Sequence, residues 1–112
     1  MAAVDVDDVF EVLADRTRRQ VVQLLGAGPR RAGELADATG TSAPAMSRHL
    51  RMLLAAEIVV DERGPDDART RIFRLRPESM TALRAWLDQM QAQWEEQLGS
   101  FKEHVERRGR RT

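Results

Sequence analysis

TSAPAMSRHLRMLL, Thr41 to Leu54, reads as a helix with two unlike faces. Ser42 is placed to cap it, accepting N–H groups that the first turn leaves unpaired. Pro44 falls within that first turn, where a missing N–H is no loss. Met46, Leu50, Leu53 and Leu54 recur at three- and four-residue spacing and form one apolar stripe. Ala43, Ser47, Arg48 and Arg51 fall on the other side, small or basic. A helix that packs by one face and presents hydroxyls and guanidiniums by the other suits the major groove of DNA.

The residues just before this stretch supply its frame. Ala32-Gly33-Glu34-Leu35-Ala36-Asp37-Ala38-Thr39 predicts a short helix of small residues, and Gly40 is placed as its left-handed stop. Two helices joined by a glycine-containing turn of three or four residues make a helix-turn-helix signature. Further upstream, Val6, Val9, Phe10 and Leu13 predict a short amphipathic helix. Asp15 is placed to cap a second, with Val21, Val22, Leu24 and Leu25 inward and Gly26, Gly28 and Pro29 ending it.

Beyond Leu54 the period changes from helical to alternating. Residues 58–63 and 69–76 are strand-like, and Gly64-Pro65-Asp66-Asp67-Ala68 between them is a turn cluster. An antiparallel hairpin over residues 60–75 with an exposed tip, a wing, is the expectation. Pro77 ends the second strand, and a long helix follows from about Glu78. It carries Leu83, Leu87, Met90, Trp94, Leu98, Phe101 and Val105 in one stripe, with Trp86 beside it. Six turns of stripe exceed what so small a domain needs for its own core, so a second copy of the chain is the expected cover. Val9, Phe10, Leu83, Trp86, Leu87, Met90, Trp94, Leu98 and Phe101 are the expected dimer interface, with the first helix beside the last.

Composition bounds these readings. With 112 residues, 42% hydrophobic and 32% charged, the chain fits one globular domain, expected over 1–106 with a flexible basic tail at 107–112. The absence of cysteine excludes disulfides, thiolate metal sites and cysteine redox chemistry. There is no apolar run of membrane-spanning length, and the acidic start is unlike a signal peptide, so a cytoplasmic protein without membrane partners is expected. No phosphate-binding glycine loop and no clustered acid–base pair points to an enzyme, and no cofactor is expected. The net charge of +0 conceals an asymmetry: Asp5, Asp7, Asp8, Glu11 and Asp15 make the first fifteen residues acidic. Residues 16–58 set Arg16, Arg18, Arg19, Arg30, Arg31, Arg48 and Arg51 against Glu34, Asp37 and Glu57. Local fields, rather than totals, govern docking on phosphate, so a narrow footprint on nucleic acid is favoured.

Three short helices, a candidate recognition helix, a wing and a long last helix, together with their wording, resemble the ArsR/SmtB family of winged-helix repressors. VFEVLADRTRRQVVQLL, from Val9 to Leu25, is similar to that family's opening, with Arg16 where a proline is usual. GELADATGTSAPAMSRHLRMLLAAEIV, from Gly33 to Val59, is similar to its third and fourth helices. Ala43 replaces a common glutamine, and Glu57 replaces the usual glycine of the exit turn. The resemblance runs from residue 8 to about residue 105. It implies a mainly α fold with a β-hairpin wing and a long C-terminal helix in a dimer. It maps the family's DNA-contacting positions onto Ser42, Ala43, Ala45, Ser47, Arg48, His49 and the wing arginines.

The residues themselves add Arg51 to that set, with Arg48 bidentate to a guanine, Ser42 and Ser47 on phosphate, and Arg69 and Arg71 as the contacting wing arginines. Arg18 and Arg19 are further candidates for phosphate. His49 borders the apolar stripe and is expected to pack or to hold phosphate. The family's metal sites do not map: Leu35-Ala36-Asp37-Ala38 stands where thiolates would, and Asp88 has no histidine two residues on. The expected function is a homodimeric, sequence-specific repressor on a pseudo-palindromic double-stranded operator, with no inducer specified by these residues. A metal- or small-molecule-responsive sensor at the dimer seam, drawing on Asp88, Glu95, Glu96, Glu103 and His104, is one alternative. A winged-helix protein-interaction module is the other.

Overall fold

The structure, a computed structural model, describes residues 4–67 and 69–110. The chain divides into two compact units, one extending to Ala82 and the other beginning at Leu83.

In the first unit, helix α1 (Val6–Leu13) is capped by Asp5, whose Oδ1 accepts the Asp7 N–H at 2.9 Å. Asp15 caps α2 (Arg16–Gly26) in the same way, accepting the Arg18 N–H at 3.0 Å. A two-residue strand β1 (Arg30–Arg31) then leads into α3 (Ala32–Thr39), and Ser42 opens α4 (Ala43–Ala55) by accepting the Ala45 N–H at 3.3 Å. The wing is β2 (Val59–Arg63) and β3 (Arg71–Leu75), paired from Val59↔Leu75 to Arg63↔Arg71. Its tip is tied by Asp67, whose carboxylate accepts the Arg69 N–H at 2.9 Å and the Thr70 hydroxyl at 3.2 Å.

Strand β1 has no signal in the sequence. It pairs antiparallel with β3, Arg30↔Phe73 and Arg31↔Ile72, and makes the sheet three-stranded in the order β1-β3-β2. Two residues carry no periodicity; this strand exists only because β3 offers it an edge to pair with.

One core gathers these elements. Val9, Val12, Val21, Leu25, Leu35, Met46, Leu50, Leu53, Ile58, Val59 and Phe73 are all buried. Val9 is completely covered within the protomer, so it has no surface to give a partner chain, contrary to its expected place in a dimer interface. The α1 stripe is rotated from the expected one: Val12 is buried, whereas Phe10 is 41% exposed.

Two exit turns of the helices are built alike. After α3, Gly40 sits at φ +65°, with Gly40 N–H on the Asp37 carbonyl and Thr41 N–H on that of Ala36 at 3.0 Å. After α4, Glu57 sits at φ +60°, with its N–H on the Leu54 carbonyl and Ile58 N–H on that of Leu53, both 3.0 Å. Both are left-handed helix stops with paired 5→2 and 6→1 hydrogen bonds. Glu57 thus keeps the turn that glycine would make, in a conformation unfavourable for a residue with a Cβ. The fully buried Ser79 donates its hydroxyl to the Glu57 carbonyl, and Arg76 meets the Glu57 carboxylate at 3.3 Å.

Helix α5 (Pro77–Arg110) contains 34 residues, about 50 Å of helix at 1.5 Å per residue. It begins with Pro77 at its first position and runs through Arg110. Residues 107–110 of the expected tail are therefore helical, and 111–112 lie outside the described residues. In the second unit Leu87, Trp94, Leu98, Phe101 and Val105 are all exposed, Trp94 by 60% and Leu98 by 67%.

Candidate nucleic-acid interface

The helix-turn-helix is α3, the Gly40-Thr41-Ser42 turn, and α4. Thr39 locks the turn from within, its hydroxyl donating to the Leu35 carbonyl at 2.7 Å and lying 3.0 Å from the Thr41 hydroxyl. Burial of Met46, Leu50 and Leu53 fixes the rotation of α4 about its axis. Ser42, Ala43, Ser47, Arg48 and Arg51 are consequently exposed, and Ala45 is half-buried. Among the described residues, Arg48 and Arg51 have no carboxylate partner. Their charge is available to an incoming anion.

His49 has a different environment. Its Nδ1 lies 3.4 Å from Arg18 Nη1 and 4.0 Å from Asp15 Oδ1, so the ring is turned back toward the start of α2. Arg18 also donates Nε–H to the Val12 carbonyl at 2.6 Å and reaches Met52 Sδ at 3.2 Å. One guanidinium thus ties the end of α1 to the middle of α4. The Arg18 N–H holds the Asp15 carboxyl below the usual carboxylate range, against partial burial that pushes it upward, and the nearby Arg18 and His49 charges lower it further.

Arg18 and Arg19, expected as phosphate ligands, are occupied within the protomer. Arg19 Nη1 donates to the Leu13 and Ala14 carbonyls at 2.8 and 2.9 Å. Both arginines therefore satisfy orphan carbonyls where α1 ends, a position where cations also complement the helix dipole. That accounts for basic residues at the electrostatically unfavourable start of α2.

The wing arginines separate into two kinds. Arg71 is clamped by Asp61, with Nε and Nη2 at 2.8 and 2.7 Å from Oδ2, and its guanidinium stacks 5.1 Å from the Phe73 ring centroid. Arg74 pairs with Glu62. Arg69 is exposed at the tip, its backbone held by Asp67 while its side chain pairs with no carboxylate among the described residues. Contact by Arg71 would have to compete with Asp61.

Between α4, β1 and the wing lies a cleft of about 320 Å³. It brings together Ser47 and Arg51 of α4 with Arg69, Thr70 and Arg71 of the wing, over an apolar floor of Leu50, Leu54 and Phe73. Ser42, Ala43, Ala45, Arg48 and His49 are not among its lining residues. Arg31, which sequence reasoning counted only as charge, also lines it. The available signal was the Arg30-Arg31 pair directly before a helix start, but only the pairing of β1 with β3 puts Arg31 opposite the wing. Among the described residues no cluster of three His, Asp or Glu side chains could hold a metal ion, and no helix is long and apolar enough to cross a membrane.

A buried helix-turn-helix with an exposed basic recognition face and an adjoining wing defines a DNA-binding regulator of the winged-helix class. Residues 13–62 match the family model of a helix-turn-helix domain. The chain is 37% identical over 103 residues to the HTH-type transcriptional regulator Rv2034 of Mycobacterium tuberculosis, covering 92% of this chain and 91% of the relative. It is 38% identical over 58 residues to the transcriptional repressor SdpR of Bacillus subtilis, covering 52% and 64% respectively. Among solved structures, the ArsR family transcriptional regulator RHA00566 superposes with a TM-score of 0.71 at 31% identity, covering 80% of this chain and 94% of that one. The chain belongs to the ArsR family of transcriptional regulators, a family of regulators rather than of enzymes.

Proposed function

We propose that this regulator is a cytoplasmic homodimer that represses transcription by occupying a pseudo-palindromic operator. Each protomer places α4 in the major groove and its wing along the flanking backbone. The carrying observation is the exposed face of α4, where Ser47, Arg48 and Arg51 stand clear of any carboxylate partner among the described residues. Arg48 supplies bidentate donors to a base edge, Ser42 and Ser47 hold phosphate, and Ala43 and Ala45 allow close approach. His49 positions α4 through Arg18 and Asp15 rather than contacting DNA.

The second copy follows from α5. Leu87, Trp94, Leu98, Phe101 and Val105 form an exposed apolar stripe too large to leave in water, and pairing with its own copy covers it by twofold symmetry. Leu83, Trp86 and Met90 extend the same proposed interface, and Phe10 of α1 is a separate proposed contact. A twofold dimer then reads half-sites about one helical turn of DNA apart.

The test is fluorescence anisotropy on DNA upstream of the protein's own gene and on the same fragment scrambled. The wild type is expected to prefer the former, and Arg48→Ala to lose that preference by about 1–3 kcal/mol while retaining weak general binding. Equal weak binding of wild type to both fragments would favour the protein-interaction alternative.

A further inference from the structure

We infer that the cleft between α4 and the wing is a preformed seat for one backbone phosphate of DNA, closed by Arg31 together with Arg51 and Arg69. The inference rests on the DNA-binding reading above and assigns a role to a residue outside the recognition helix and the wing tip.

Three observations converge. First, the lining of the cleft contains no carboxylate; Asp61, which engages Arg71, is not among the lining residues. Secondly, of its four arginines only Arg71 is engaged, by Asp61 at 2.7 Å; Arg31, Arg51 and Arg69 have no ion-pair partner among the described residues. Thirdly, these three come from three different elements, β1, α4 and the loop before β3, so their convergence is a property of the tertiary fold. Ser47 and Thr70 add hydroxyls to the same lining. Like charges gathered over an apolar floor repel each other unless an anion joins them. A phosphodiester supplies that anion, with acceptor oxygens that match guanidinium forks.

The arrangement also explains the division of labour among the wing arginines. Asp61 withdraws Arg71 to brace the hairpin, leaving Arg69 to reach outward from the tip. Arg31 is anchored by its backbone, which pairs with Ile72 across the sheet and donates N–H to Glu34 Oε1 at 3.1 Å. Its side chain can therefore be replaced without removing those bonds.

A phosphate seat has a signature separate from base reading. Arg31→Ala is expected to weaken binding to a random-sequence duplex and to the upstream fragment by the same factor, about tenfold. The slope of log K against log salt is expected to become shallower by about 0.9, one counterion's worth. Arg31→Lys should recover the slope and Arg31→Gln should not, and matched melting curves for all three variants establish that the fold is intact. Thermal shift with inorganic phosphate, against chloride at equal ionic strength, tests a free anion as the occupant.

An unchanged affinity and slope in Arg31→Ala, with wild-type DNA binding intact, would overturn the seat while leaving the regulator reading standing. Phosphate-specific stabilisation lost in Arg31→Ala, with DNA binding unaffected, would overturn the DNA backbone as its occupant. No salt-dependent binding of the wild type to any duplex would overturn both readings.

Discussion

Glu57 is where this chain departs most usefully from a simple helix stop, and replacing it isolates the energy of one backbone angle. Its φ of +60° places a Cβ in the left-handed region, which disfavours L-residues by about 1–2 kcal/mol relative to glycine's freedom. Glu57→Gly relieves that strain, and Glu57→Ala retains it. Both variants lose the pair with Arg76, whose two side chains are about a third exposed, a contact worth about 0–1 kcal/mol. Both keep the backbone carbonyl that accepts from Ser79. The difference between the variants therefore removes the ion pair from the comparison. Glycine also gains freedom in the unfolded chain, which offsets about 0.4–1 kcal/mol of the relief. The glycine variant should be more stable than the alanine variant by about 0.8 kcal/mol, the middle of the range these two effects leave. At fixed protein concentration this is a Tm difference of about 2–8 °C by calorimetry, with a parallel shift in urea midpoint at unchanged m. An alanine variant more stable than the glycine variant would refute the left-handed assignment at this turn.

Other outcomes follow from the same geometry. Arg18→Ala should destabilise the fold by about 1–2 kcal/mol by freeing the Val12 carbonyl, and should weaken DNA binding without changing its salt slope, because Arg18 positions α4 rather than touching phosphate. Asp15→Ala should remove about 1 kcal/mol of α2 capping. Because the Asp15 carboxyl titrates below its unfolded value of 3.8, its contribution is fully present above that pH and is lost as acid protonates it in the folded state. Denaturant melts of wild type and Asp15→Asn should therefore converge as the pH falls below 3.8 and through the lowered folded-state value. Leu98→Glu, on the exposed stripe of α5, should leave the helix-turn-helix folded and shift sedimentation equilibrium from dimer to monomer, with a corresponding loss of operator affinity.

Much of the fold is legible in the chain because its signals are local. Ser42 and Asp15 cap the helices that follow them, and Gly40 takes the left-handed angle assigned to it. Of the expected apolar stripe, Met46, Leu50 and Leu53 are buried as their spacing requires and Leu54 is half-buried. Each depends on residues within four positions of one another, where side-chain direction and backbone angle are coupled directly. The hairpin was legible for the same reason, since turn chemistry at Gly64 to Asp67 separates two strands of alternating period.

The site was less legible, because charge in a sequence does not state its partner. Arg18 and Arg19 have the composition of phosphate ligands, yet the turn between α1 and α2 folds them back onto carbonyls five and six residues earlier, at the end of α1. Arg71 and Arg69 are two residues apart in the same wing, yet only one is answered by Asp61.

The sequence by itself determined that a helix-turn-helix with a wing and a long helix would form, because capping, periodicity and turn residues act over a few positions. Only the tertiary structure decided which arginines remain available to an anion. A guanidinium's role depends on acceptors brought near it from elsewhere in the chain, as Asp61 is for Arg71, and on which elements meet beside it, as β1, α4 and the wing do around Arg31.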